Sequence, residues 1–272
     1  MMNTGICKLC GHKKELIEKS HIIPRQFHHH TTREMKKYFD DVLTDATYIY
    51  SQDGKEKQIQ NGLYVGEILC KDCENFIGRW DKYAQNLLLK EIDIDSIYEK
   101  QEATKEIQTI ANVDYKLLKL FFMSLLWRSH IARNNFFVNK ASKDGKIEKW
   151  QTFKEVNLGE QWELKLRTMI LQENPGTEDD FSVVLIKYIG KESCIHLLPP
   201  VRIKNNSANF YQFTFAGYSF FIKVDQRKFP NKIREIILKP NAPLYFPIKE
   251  YKESPEYLHL LKWVNSVPEK SA

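Results

Sequence analysis

The chain has 272 residues, with 41 Lys and Arg against 35 Asp and Glu, a net charge of +6, and 42% apolar residues. That composition is globular rather than collagen-like or disordered, and long enough for one sizeable core or two modest domains. An odd count of five cysteines, an N-terminus without an apolar run, and a longest apolar stretch (Leu117 to Trp127) broken by Lys119 and far short of the about 20 residues a bilayer needs speak against a disulfide scaffold, secretion and membrane spanning, so a cytoplasmic location is expected.

Charge is unevenly spread. Residues 1–37 carry eight basic and three acidic side chains, a net of +5; residues 1–110 carry 16 and 18, a net of −2; the remainder carries 25 and 17, a net of +8. A basic face suits a polyanion such as nucleic acid, and an ordinary solvated Lys-rich surface is the alternative.

In chain order, Cys7-Lys-Leu-Cys10-Gly11 reads as a tight knuckle, followed by a short hairpin. Ile17, Ile22 and Ile23 are β-branched, as a strand prefers, and Pro24 ends the stretch by removing a donor. Residues 27–41 read as a polar, partly helical excursion. A strand-like fragment spans Ala46–Tyr50, and Asp53-Gly54 marks a turn. The run GLYVGEILC is strand-like into Cys70. From Glu74, apolar residues at Phe76, Ile77, Trp80, Tyr83, Ala84, Leu87 and Leu88 repeat at three and four, which predicts an amphipathic helix with Cys73 at its start. Residues 91–112 are acidic and polar and read as a connection.

Residues 113–138 predict a long core helix, apolar almost all round at its centre, and Gln161 to Gln172 predicts another. Beyond Pro175-Gly176, strand signals dominate: FSVVLIKYI, ANFYQFTF, YSFFIKV and EIILK, with a hairpin at Ala216-Gly217. The predicted fold class is α+β: a metal-bound N-terminal domain over residues 1–92, a connection over 93–112, and a mixed helix and antiparallel-sheet domain over 113–272.

Cys7, Cys10, Cys70 and Cys73 form two CxxC pairs. Four thiolates suit tetrahedral zinc, and each pair closes around the metal through a tight turn. The order of knuckle, hairpin and helix is a treble-clef arrangement, in which the helix N-terminus brings positive dipole to the thiolates. A redox dithiol and two unrelated pairs are the alternatives. Cys194 is left over, as a buried free thiol in a strand.

Between the pairs lies Ser20-His21-Ile22-Ile23-Pro24, and the second pair continues Cys73-Glu74-Asn75. These residues resemble the zinc-bearing HNH, or His-Me finger, endonucleases, with their ββα-metal finger, over residues 7–90. The resemblance implies a metal-dependent cut of DNA phosphodiester bonds, with a role in phage defence or restriction. It implies that His21 is the general base that activates water, and that Glu74 is a ligand for a catalytic Mg²⁺ or Mn²⁺. Ser20 stands where the family often has Asp or His, and Glu74 where it usually has His or Asn. Val65 and Gly66 stand where a middle Asn is usual, the nearest Asn being Asn61.

Lys19 and Arg25 are the candidate nucleic-acid contacts. A strand histidine that packs or helps bind zinc, and a helix-start acid favoured by the dipole, are the plainer roles for His21 and Glu74. Asp81, two turns after Glu74, shares its face and is either a second metal carboxylate or a solvated acid. His28, His29 and His30 read as a polar loop, and His12 as a bystander to the knuckle. Arg128, His130 and Arg133 either reach phosphate or cap the buried helix end. Phe210, Tyr211, Phe213, Phe215, Tyr218, Phe220 and Phe221 read as sheet core rather than base-stacking surfaces. A non-catalytic zinc module binding nucleic acid or protein is the alternative function. A third is an effector whose C-terminal domain docks a protein partner or a second copy of the chain.

Overall fold

The computed structural model describes residues 3–30, 47–50, 56–59, 64–90, 107–132, 156–190, 198–204, 208–229, 231–258 and 261. The architecture is α+β. The N-terminal strands are short: β1 (Thr4–Ile6) pairs antiparallel with β2 (Lys13–Glu15), and β3 (Ser20–His21) with β6 (Tyr64–Val65). Between the last two, β4 (Thr47–Tyr50) pairs with β5 (Glu56–Ile59), and the predicted Asp53-Gly54 turn lies outside the described residues. Ile22 and Ile23 are buried just beyond β3 rather than within a longer strand. Two long helices follow, α1 (Lys71–Lys90) and α2 (Tyr115–Ile131), then α3 (Glu160–Leu171).

The main sheet has six strands in the order β7 (Ile107–Ile110), β12 (Leu244–Glu250), β8 (Val183–Ile189), β11 (Tyr218–Lys223), β10 (Asn209–Phe215), β9 (Leu198–Lys204), with the short helix α4 (Asn231–Arg234) between β11 and β12. Three sequence expectations are corrected here. The sheet is mixed, because β12 runs parallel to β8. Strand β7 falls within the segment read as a connection. The run EIILK contributes only one bridge, Ile237 to Val184, and no strand. The Ala216-Gly217 hairpin is present: both residues have positive φ (51° and 72°), the geometry that a two-residue turn needs to follow the right-handed strand twist.

Helix α2 explains why the core sits where it does. Asp114 caps it, accepting from the Leu117 N–H at 3.0 Å, and every residue from Leu118 to His130 is buried. One of its faces meets α1. Another meets the sheet, where the Phe122 and Phe220 ring centroids lie 5.1 Å apart. Phe27 from the N-terminal region packs on Phe121 at 5.8 Å and Phe215 at 5.2 Å, and the Tyr218 hydroxyl donates to the Leu88 carbonyl at 2.8 Å. One apolar cluster therefore runs from Cys7 through both helices to Phe246. Burial of each such Leu or Phe contributes roughly 1.5–3 kcal/mol. A smaller cluster of Val184, Ala208, Phe210, Phe229 and Ile237 lies apart from it. The predicted aromatic strands are core, with Phe221 only half-buried. Among the described residues, no helix is long and apolar enough to cross a membrane.

Candidate metal centre and the His21 strand

The first cysteine pair is shaped by backbone hydrogen bonds at the tip of the β1–β2 hairpin. The Cys7 N–H donates to the His12 carbonyl at 3.0 Å, and the Gly11 N–H to the Cys7 carbonyl at 2.9 Å. Gly11 has φ of 75°, a left-handed turn that glycine adopts without a Cβ penalty. The second pair is brought to it by the chain before α1. Lys8 donates to Ile68 at 2.8 Å, Ile17 to Leu69 at 3.0 Å, and Glu67 to Ile17 at 2.9 Å. The Cys70 N–H points at the Cys7 sulfur, 3.4 Å away. Helix α1 begins at Lys71, so Cys73 lies in its first turn.

All four Sγ atoms lie within 4.8 Å of one another, and none is in a disulfide. Sulfurs at tetrahedral corners 2.3 Å from a zinc ion would stand about 3.8 Å apart, so the cluster has the size a metal ion requires. Burial pushes the Cys7 thiol up, but N–H groups of Cys10, Cys70 and Leu9 outweigh it and bring it down to about 7. Burial, with the neighbouring sulfurs, holds Cys73 up, and burial also raises Cys10. Four thiolates this close repel one another unless a cation neutralises them, and that chemistry fits a metal ion. Among the described residues no other group of three or more His, Cys, Asp or Glu side chains converges this way, and His12 stays outside.

Glu74 is tied to β3 beside this cluster, through Ser20 and the His21 main chain. The buried Ser20 hydroxyl donates to Glu74 Oε2 at 2.7 Å, and the His21 backbone N–H donates to the same carboxylate. Burial raises the Glu74 carboxyl, against the hydrogen bond from Ser20 and the Arg128 charge. The His21 ring is half-buried, edge-on to Tyr64 with centroids 6.1 Å apart.

Asp81 is not a solvated acid. It takes both Arg128 guanidinium nitrogens, at 2.9 and 2.7 Å, and the Arg128 side chain is 1% exposed. Burial raises Asp81, and Arg128 opposes that rise. Arg128 Nη1 also donates to the His21 carbonyl at 2.9 Å, and Nη2 to the Ser124 hydroxyl at 3.3 Å. Both polar groups of the His21 main chain are thus held by side chains of α1 and α2. Arg128 faces inward, away from any phosphate.

The histidine tract is not a loop. Residues 25–30 are helical, and His28 is buried, its imidazole brought down to about 4 by burial and by the charges of His21 and His29. His130 is buried against Val156 and Leu158. Lys19 and Arg25 are exposed, as a phosphate contact must be. Asn61, Arg133 and Cys194 lie outside the described residues. Comparison with family models, curated proteins and solved structures finds no match to this chain.

Proposed function

We propose that the chain is a metal-dependent HNH-type endonuclease that hydrolyses DNA phosphodiester bonds, built on a treble-clef unit whose four cysteines hold a structural zinc. The observation that carries this reading is that the Glu74 carboxylate holds the His21 backbone and the Ser20 hydroxyl, so the two candidate residues sit on joined elements beside the cysteine cluster. The His21 imidazole takes a proton from water, the water oxygen bonds to phosphorus, and the bond to the leaving oxygen breaks. Glu74 has lone pairs beyond those that accept from Ser20 and His21, and these would hold Mg²⁺ or Mn²⁺. Such an ion supplies charge neutralisation at the phosphate. Lys19 and Arg25 bind the flanking backbone. A cytoplasmic defence or restriction role, with a protein partner or second copy on the C-terminal sheet, belongs to the same reading.

A second reading, a non-catalytic zinc module binding nucleic acid or protein, is favoured by one feature: Glu74 already serves to hold β3 through Ser20 and the His21 N–H. Incubation of zinc-loaded protein with supercoiled plasmid, single-stranded DNA and RNA, each with Mg²⁺ or Mn²⁺, separates the two. Nicked or linear DNA that depends on the divalent ion supports the enzyme. Intact substrates under all conditions favour the binding module.

A further inference from the structure

From the β3–β6 ribbon we infer a binding spot for an unpaired nucleotide, formed by Tyr64 and Lys19 beside His21; only its place next to a scissile phosphate rests on the nuclease reading. Register sets Tyr64 directly opposite His21. Its side chain stands 44% exposed, while the aromatic residues of α2 and of the sheet strands β10 and β11 are largely buried. A single exposed aromatic is ordinary in itself. This one is set apart by its two neighbours, the His21 ring edge-on at 6.1 Å and the Lys19 ammonium 5.4 Å from its centroid.

The backbone that carries Lys19 and Tyr64 is closely constrained. A Cβ on Gly66 would come 2.7 Å from the Glu18 carbonyl, so the chain just past β6 approaches the residue before Lys19 as closely as only glycine allows. Of the nearby acids, Glu67 is engaged by Asn3, and Glu18 is exposed. The Lys19 ammonium lies over the ring on an exposed, flexible four-carbon stem, so it can swing to a phosphate as a base takes its place on the ring: together the two match one nucleotide. In a duplex both faces of a base are already covered by its neighbours. Tyr64 can therefore stack only on a base that is single-stranded or turned out of the helix.

The test uses the full zinc-loaded chain and a fluorescein-labelled single-stranded DNA oligonucleotide, beside the same sequence as duplex, with Ca²⁺ in place of Mg²⁺ to hold cleavage back. Wild type is expected to bind the single strand more tightly at equal salt. Tyr64→Ala should weaken that binding about 5- to 150-fold, the loss typical of one base–aromatic stack, and Tyr64→Phe should retain it. Lys19→Ala should weaken single-strand and duplex binding alike and flatten the salt dependence. Unchanged single-strand affinity in Tyr64→Ala, a wild-type preference for duplex, or binding to neither overturns the inference. Cleavage that needs His21, seen with a neutral Tyr64→Ala, overturns this inference alone. Tyr64-dependent binding without any cleavage overturns the nuclease reading alone.

Discussion

Arg128, in the last turn of α2, donates to the main-chain carbonyl of His21 across 2.9 Å, so the core helix and the candidate catalytic strand share one ion pair in which Arg128 is buried and Asp81 half-buried. Removing one partner of such a pair leaves a charge buried without compensation. Arg128→Met or Asp81→Leu alone should cost about 3–5 kcal/mol, and the double variant should recover most of that loss. The double variant should still cleave slowly, because the His21 carbonyl has lost its anchor. Thermal melts of the three proteins check the first expectation, and equal melting of single and double variants would refute it.

That pairing could not be seen in the sequence. Asp81 and Arg128 are 47 positions apart, and nothing local distinguishes a buried arginine from one that reaches for phosphate. The cysteine pairs, α1, the centre of α2 and the β10–β11 hairpin were legible, because each has a local signature in spacing, period or turn chemistry. The missed strands have equally specific reasons. Pro199 and Pro200 disguise β9, and they fall where the edge strand shifts register against β10. Pro247 disguises β12, and it sits where that strand exchanges β7 for β8 as its partner. The histidine tract looked polar, yet His28 is turned into the interior. Ser20 departs from the motif, and its hydroxyl is what holds Glu74.

The candidate metal centre makes its own demand. Elemental analysis should find one zinc per chain, and Cys70→Ser or chelation should remove it. Because Lys8, Ile17 and Glu67 donate the backbone bonds that join the two cysteine segments, their amides should lose hydrogen-exchange protection on metal loss. Amides at the centre of α2 should keep theirs. Metal-free protein with those three amides fully protected would show that the cysteines hold nothing together.

Lys119 carries a pH dependence that does not involve the metal centre. It is fully buried, within 3.4 Å of the Thr177 carbonyl, and burial, with the Lys223 charge, brings it down to about 7 against the pull of Asp180, Asp179 and Glu178. The unfolded chain therefore binds an extra proton from about pH 7 up to the ordinary lysine range near 10.4. Stability should rise with pH across that window, the cost being full below it. Lys119→Met should melt higher than wild type below pH 7, and the gap should narrow as pH climbs toward 10. A gap independent of pH would mean that Lys119 is charged in the folded protein.

The central claim is that His21 removes the proton from the attacking water. Its most direct test is the single-turnover rate of plasmid cleavage by wild type and His21→Ala, with zinc content and DNA affinity measured on the same preparations. The rate is expected to fall by about 10²- to 10⁴-fold, the usual contribution of a general base, while zinc content and affinity stay nearly unchanged, since phosphate is held by Lys and Arg. Equal rates for the two proteins would contradict the claim.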